Sequence, residues 1–212
     1  YLDAANLDSI DQFIDKVEGV TTNPSLMKKA GITDYRSFAK AVLGKVKGKP
    51  VSFEVLSDDW NDMYSNACEI CSWGDNVYAK IPITNTKGEM SIDLIDSLED
   101  KRINITAVMT DEQLMALSNL DRPHHIISVF AGRIMDAGQR APIILRGQFK
   151  AKLLWASTRE LYNLKNAESS GYDIITMTPD LIAKLPLRGK DLKQYSLETV
   201  QQFYNDGRGI EF

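Results

Sequence analysis

The feature that most constrains the fold of this chain is an alternation of two patterns. Short runs rich in β-branched and aromatic residues recur at 1–5, 19–22, 51–56, 77–83, 103–108, 125–131, 153–157 and 173–178. Between and after them the apolar residues take up helical spacing, which predicts helices over 8–17, 24–47, 59–73, 88–101, 110–117, 133–139, 158–170 and 179–184. Several of these have start signals: Asp58 ahead of DWNDMYSNA, Thr110 ahead of DEQLMAL and Pro179 after Thr178. Strands alternating with helices need crossover connections, so the sheet is expected to be parallel. Eight such units close naturally into an α/β fold of the (β/α)8 or TIM barrel type. The competing architecture, an open doubly wound sheet, would carry a glycine-rich turn after its first strand, and YLDAANLDS contains no glycine. One barrel domain then accounts for residues 1–212, with 191–212 as a helical tail. Its amphipathic stretch, 192–204, is expected to cover the barrel or to dock on a neighbouring subunit.

Composition narrows the classes of function. With 43% hydrophobic and 25% charged residues the chain buries a core rather than staying disordered. A net charge of -4 leaves no basic stripe for a nucleic-acid backbone, so any anion must be held by a few local cations. No apolar run approaches the roughly 20 residues that span a bilayer, and YLDAAN begins without a charged-then-apolar leader, so a cytoplasmic location is expected and no membrane partner. Cys68 and Cys71 are the two cysteines, spaced C-x-x-C inside a helical stretch. They lack the second ligand pair a zinc site needs and the helix-start context of a redox motif, which leaves helix packing as free thiols.

In a barrel, chemistry belongs to residues at the C-terminal ends of strands, and residues at strand starts serve stability. This rule sorts the polar side chains. Asp3 lies among apolar neighbours in the first strand. Thr21, Thr22 and Asn23 stand at a strand-to-helix junction before Pro24, where an Asn-Pro pair is also an ordinary signal for the start of a helix. Glu54 interrupts the apolar run VSFEVLS, and Lys80 interrupts VYAKIPIT. Two opposite charges on adjacent inner strands can be a plain buried ion pair. A lysine stripped of water can also act as a free amine, attack a carbonyl and form an imine that serves as an electron sink without metal or cofactor. The only histidines, His124 and His125, stand at the start of the sixth strand, so proton transfer falls to Asp3 and Glu54, with Thr106 able to orient a water. Arg133 follows the sixth strand, and Ser157 and Arg159 follow the seventh, a grouping that suits a phosphate.

The segments YLDAAN, GVTTNPSL, VSFEVL, VYAKIPIT, INITAV, SVFAGRI, LWASTRE and GYDIITMTPDL together resemble the successive strand motifs of the transaldolases, most of all the short subfamily shared with the fructose 6-phosphate aldolases. The resemblance covers residues 1 to about 185. It implies that Lys80 forms a Schiff base with a ketose donor and that Asp3 is the acid/base group on the donor hydroxyl. Glu54 and Thr106 would position the proton-relaying water. Asn23, Asn104 and Ser128 are substrate-binding candidates for the three-carbon unit, Arg133, Ser157 and Arg159 for the sugar phosphate, and Thr22 and Phe130 are further substrate-binding candidates. The aldolase members typically carry glutamine in place of Glu54 and tyrosine in place of Phe130, which points this chain toward transfer. The family's short members use a C-terminal helix between subunits, so a homo-oligomer is expected.

The sequence leaves three readings. The first is a transaldolase moving a dihydroxyacetone unit between sugar phosphates, as in the pentose phosphate pathway. The second keeps the same lysine chemistry but ends in free aldol cleavage, or in transfer onto the acceptor of a modified-sugar pathway. It is motivated by Met109, Thr110 and Met135, which replace family residues, and by the unusual segment DAGQRAPIILRGQFKAKLL after Arg133. The third is a non-catalytic barrel that binds sugar phosphates.

Overall fold

A computed structural model describes residues 1–120 and 122–211; Phe212, the last residue of the expected tail, lies outside the described residues. The eight strands are β1 (Leu2–Asp3), β2 (Val20–Thr21), β3 (Val51–Glu54), β4 (Val77–Pro82), β5 (Ile103–Val108), β6 (Ile126–Val129), β7 (Lys152–Trp155) and β8 (Ile174–Ile175). They form one sheet in sequence order, every neighbouring pair parallel. Leu2 forms a parallel bridge with Met177, just beyond β8. Across that seam the Asp3 amide donates to the Met177 carbonyl at 2.8 Å, and the Met177 amide to the Tyr1 carbonyl at 3.0 Å. The sheet therefore curls back to its first strand as an α/β barrel.

The helices are α1 (Leu7–Phe13), α2 (Pro24–Lys29), α3 (Tyr35–Lys45), α4 (Trp60–Cys71), α5 (Ile92–Ser97), α6 (Asp111–Leu117), α7 (Ala131–Asp136), α8 (Asn163–Ser169), α9 (Pro179–Ala183) and α10 (Leu192–Asp206). Several expectations change. The single helix predicted over 24–47 is two helices, because Gly31 turns the chain at φ 69° and Asp34 caps α3 by accepting from the Ser37 amide. The helix predicted over 88–101 is shortened at both ends to α5. Before it the chain forms a hairpin bridged from Thr84 to Met90, with Gly88 at φ 82°. Asp58 is not the cap of α4; Asp59 is, while Asp58 holds the backbone amide and hydroxyl of Thr86 on that hairpin. Thr110 caps α6 with a full capping box closed by Gln113. No residue of α10 is buried, so it does not cover the barrel, and Leu197, Val200, Phe203 and Tyr204 stand exposed along it.

The period-2 alternation of the strands divides the core into an outer and an inner part. Phe53, Ala79 and Ile81 belong to the large cluster between sheet and helices. There Phe53 meets Tyr35, Phe38 and Trp73 edge to face. Their sequence neighbours Glu54 and Lys80 therefore face the barrel interior. A second, smaller cluster of Ile126, Leu154 and Ala156, packed with Tyr1, Tyr78, Phe130 and Ile174, lies on the opposite face of the same strands. Tyr78 and Ile126 sit two residues before Lys80 and Ser128, so this cluster forms an apolar floor beneath a polar layer. Among the described residues no helix is long and apolar enough to cross a membrane.

One close approach ties α7 to the end of β7. A Cβ added at Gly132 would lie 1.6 Å from the Ser157 carbonyl oxygen, against rigid backbone. Substituting Gly132→Ala is expected to cost about 1–3 kcal/mol through forced backbone movement, read as a fall of several degrees in the thermal midpoint. An unchanged midpoint would show that the two segments do not pack as described.

Candidate active site

A cavity of about 420 Å3 opens at the C-terminal ends of the strands. Of the twelve side chains singled out from the sequence, Asp3, Asn23, Glu54, Lys80, Thr106, Ser128, Phe130, Arg133, Ser157 and Arg159 line it. The other two do not. Thr22 is fully buried, with its hydroxyl donating to the Ser52 carbonyl at 2.9 Å. Asn104 lies deeper on β5 than Thr106; its amide accepts from the Ser128 hydroxyl at 2.6 Å and donates to the Ser52 hydroxyl at 3.0 Å. It supports Ser128 from below. His124 and His125 do not line the cavity either.

Lys80 is 5% exposed, and its Nζ lies 2.9 Å from Glu54 Oε2, the pairing that the β3–β4 register sets by placing Glu54 opposite Lys80. Nζ also donates to the Thr22 carbonyl at 3.1 Å. Glu54 is fixed in turn, because Tyr35 on α3 donates its phenol to the Glu54 carbonyl at 2.7 Å. The ion pair is buried but not sealed, since both side chains border the cavity. Thr106 Oγ1, on the next strand, is buried without a hydrogen-bond partner. An unpaired buried hydroxyl beside a cavity is a place for a water molecule or a ligand atom. The chain bulges immediately after it, with Ala107 at φ 61° and the β5–β6 register shifting between Ile105 and Val108. Bulges of this kind re-aim side chains at strand ends.

Asp3 faces Lys80 from β1. Its Oδ1 accepts from Thr21 Oγ1 at 2.9 Å, and Thr21 Oγ1 lies 2.7 Å from Thr176 Oγ1. Burial pushes the Asp3 carboxyl above its ordinary value, opposed by Lys80 and by hydrogen bonds from Thr21 and Asn23. Asn23 also caps α2, its Oδ1 accepting from the Leu26 amide at 2.9 Å, so the residue that starts the helix also borders the cavity. Thr21, Thr158, Thr176 and Thr178 line the cavity as well and were not singled out as site residues by sequence reasoning. Thr176 had a usable signal, since it alternates with apolar Ile175 and Met177 at the end of a strand.

The far side of the cavity is cationic. Arg133 projects from α7, its guanidinium carbon 5.4 Å from the centre of the Phe130 ring. Arg159 is held by Asp136 Oδ2 at 2.9 Å from Nε and 2.7 Å from Nη2. Between them Ser157 adopts φ 63°, a left-handed conformation that a non-glycine residue takes at some cost and that is common at functional sites. Away from the cavity, Cys68 and Cys71 on α4 are free thiols. Burial pushes the Cys71 thiol above its ordinary value, the reverse of what a reactive cysteine needs. Among the described residues no group of three or more His, Cys, Asp or Glu side chains is placed to hold a metal ion.

Residues 1–211 match the family model described as Transaldolase/Fructose-6-phosphate aldolase. Among curated relatives, a protein of Methanococcus vannielii named "Probable transaldolase" is 31% identical over 195 residues, covering 87% of this chain and 88% of the relative. One of the same name from Maridesulfovibrio salexigens is 29% identical over 211 residues, covering 93% and 96%. A third, from Dehalococcoides mccartyi, is 32% identical over 187 residues, covering 84% and 85%. With its barrel, its inward lysine and a match along nearly its whole length, the chain belongs to the transaldolase/fructose-6-phosphate aldolase family.

Proposed function

We propose that the protein is a transaldolase that carries a dihydroxyacetone unit between sugar phosphates on Lys80. The observation that carries this reading is a buried lysine amine, 2.9 Å from a carboxylate, at the wall of an open cavity. The amine attacks the ketose carbonyl after giving its proton to Glu54, and loss of water leaves a protonated imine. Asp3 takes the proton of the C4 hydroxyl as the C3–C4 bond breaks, and the bonding pair passes into the imine to give an enamine. The aldehyde product leaves, and the enamine attacks an acceptor aldehyde, whose new alkoxide takes the proton back from Asp3. Water adds to the imine to release the lengthened ketose. Glu54 and Thr106 suit the position of that water, Asn23 and Ser128 can bind hydroxyls of the three-carbon unit, and Arg133, Ser157 and Arg159 the phosphate.

Transfer of the three-carbon unit from fructose 6-phosphate to an aldose phosphate is the expected activity. A coupled assay should show it, with little dihydroxyacetone released when no acceptor aldehyde is present. Rapid release without an acceptor would assign the protein to the aldolase side of its family instead.

Asp3 carries a second expectation, with a definite sign. A carboxyl whose pKa is raised by folding holds its proton more tightly in the folded than in the unfolded chain. Ionising it therefore costs stability, a cost absent below the unfolded value and complete above the raised one. Substituting Asp3→Asn should raise the thermal midpoint at neutral pH, and the advantage should shrink as pH falls through the raised value toward the ordinary carboxylate range. The same variant should lose about 10²–10⁴-fold in kcat. A D3N protein no more stable than wild type at neutral pH would contradict this placement of the carboxyl.

We propose also that α10 docks on a second copy of the chain, because its apolar side chains find no cover on their own barrel. Light scattering is expected to give a multiple of the chain mass, reduced by V200D and F203D; a single-chain mass for wild type would refute this.

A further inference from the structure

We propose that Thr176, which the reaction above does not use, is a positioning residue for Asp3 and acts on it through the hydroxyl of Thr21. The inference rests on the lysine reading of the site. Thr21 stands opposite Asp3 in the β1–β2 register, and its Oγ1 donates to Asp3 Oδ1 at 2.9 Å. A threonine hydroxyl has one proton to give. With that proton aimed at the carboxylate, the 2.7 Å contact between the two threonine hydroxyls has one polarity left: Thr176 donates and Thr21 accepts.

Thr176 is built to hold this direction. It is buried, its carbonyl accepts from the Thr158 hydroxyl at 2.7 Å, and its amide donates to the Trp155 carbonyl at 3.0 Å. The chain of hydroxyls thus starts on backbone just past β8, crosses the barrel seam to β2 and ends on β1. Each donor polarises the next, so the last hydrogen bond is strengthened by the first. Thr21 thus steadies the Asp3 carboxylate, which takes the C4 proton from the donor sugar and later returns it to the acceptor alkoxide.

The charged groups around Asp3 show why a neutral chain matters here. Lys80 from β4 favours the ionised carboxylate, as do the Thr21 hydroxyl on β2 and the Asn23 amide at the start of α2, while burial opposes them and prevails. Glu54 on β3 is paired with Lys80. Lys29 of α2 and Asp180 of α9 line a recess on the other side of Asp3. Against this balance, losing one properly oriented donor should make the ionised carboxylate harder to form.

The test is the pH profile of kcat/KM for transfer, whose acid limb reports the essential base of the free enzyme. Thr176→Val keeps the shape and removes the donor. Its acid limb should move to higher pH, with a loss of roughly threefold or more at pH values on the wild-type limb and a smaller loss above it. Thr176→Ser retains the donor and should keep the limb where wild type has it. Thr176→Ala removes the same hydroxyl without placing a second methyl in the buried site, and gives the same reading if the valine variant folds poorly. A limb that stays in place when the hydroxyl is gone overturns the inference, even if activity falls evenly at every pH. A wild-type protein without transfer activity would remove the lysine reading and this one together; an active wild type with an immobile limb removes this one alone.

Discussion

The structure depends on one expensive arrangement, a lysine and a glutamate facing each other inside the barrel at 2.9 Å. Removing two charges from water costs several kcal/mol for each ion, and well-packed apolar residues of the same volume often serve stability equally well. The pair is expensive as architecture. It sits where the apolar floor ends and the cavity begins, so the amine and the carboxylate meet a space large enough for a substrate. Parallel register holds it there: β3 and β4 align Glu54 with Lys80, and the aromatic cluster around Phe53 keeps the even positions of β3 turned inward.

Around this pair the eight strand ends divide the work by distance. Asp3, Thr21 and Thr176 meet at the seam where the barrel closes, so the integrity of the ring and the placement of the Asp3 carboxyl are one structural fact. Thr106, on the strand next to Lys80, leaves an unpaired oxygen where a water can sit. Arg133, Ser157 and Arg159 lie across the cavity, beyond the apolar residues Leu154 and Ala156 that line it. A sugar phosphate anchored at that end would bring its carbonyl toward the amine. The local strain at Ala107 and Ser157 falls at the two places where a strand end is bent to serve the cavity.

Much of this was legible in the sequence because a parallel barrel writes its rules in simple periods. Strand alternation places Glu54 and Lys80 on the inner face, and the rule of C-terminal strand ends gathers Asp3, Arg133 and Arg159 at one mouth. What escaped was what depends on depth along a strand or on local turn chemistry. Asn104 and Thr106 share a face, yet two residues of strand separate a buried support from a cavity wall. Thr22 was mistaken for a cavity residue because TTNP gives no sign of which threonine points inward; Thr21 does. Asp58 was expected to provide the cap that its neighbour Asp59 makes, because only the hairpin carrying Thr86 shows what Asp58 holds instead. Gly31 split one predicted helix and Gly88 turns the hairpin that delays the start of another, through positive φ angles that a periodicity reading cannot see.

The central claim is covalent, and the most direct measurement is mass spectrometry of the protein after borohydride reduction in the presence of fructose 6-phosphate. The account predicts that one three-carbon unit is fixed per chain, that the modified peptide carries it on Lys80, and that Lys80→Met abolishes it. A chain left unmodified under these conditions, or one modified at any other lysine, would contradict the claim.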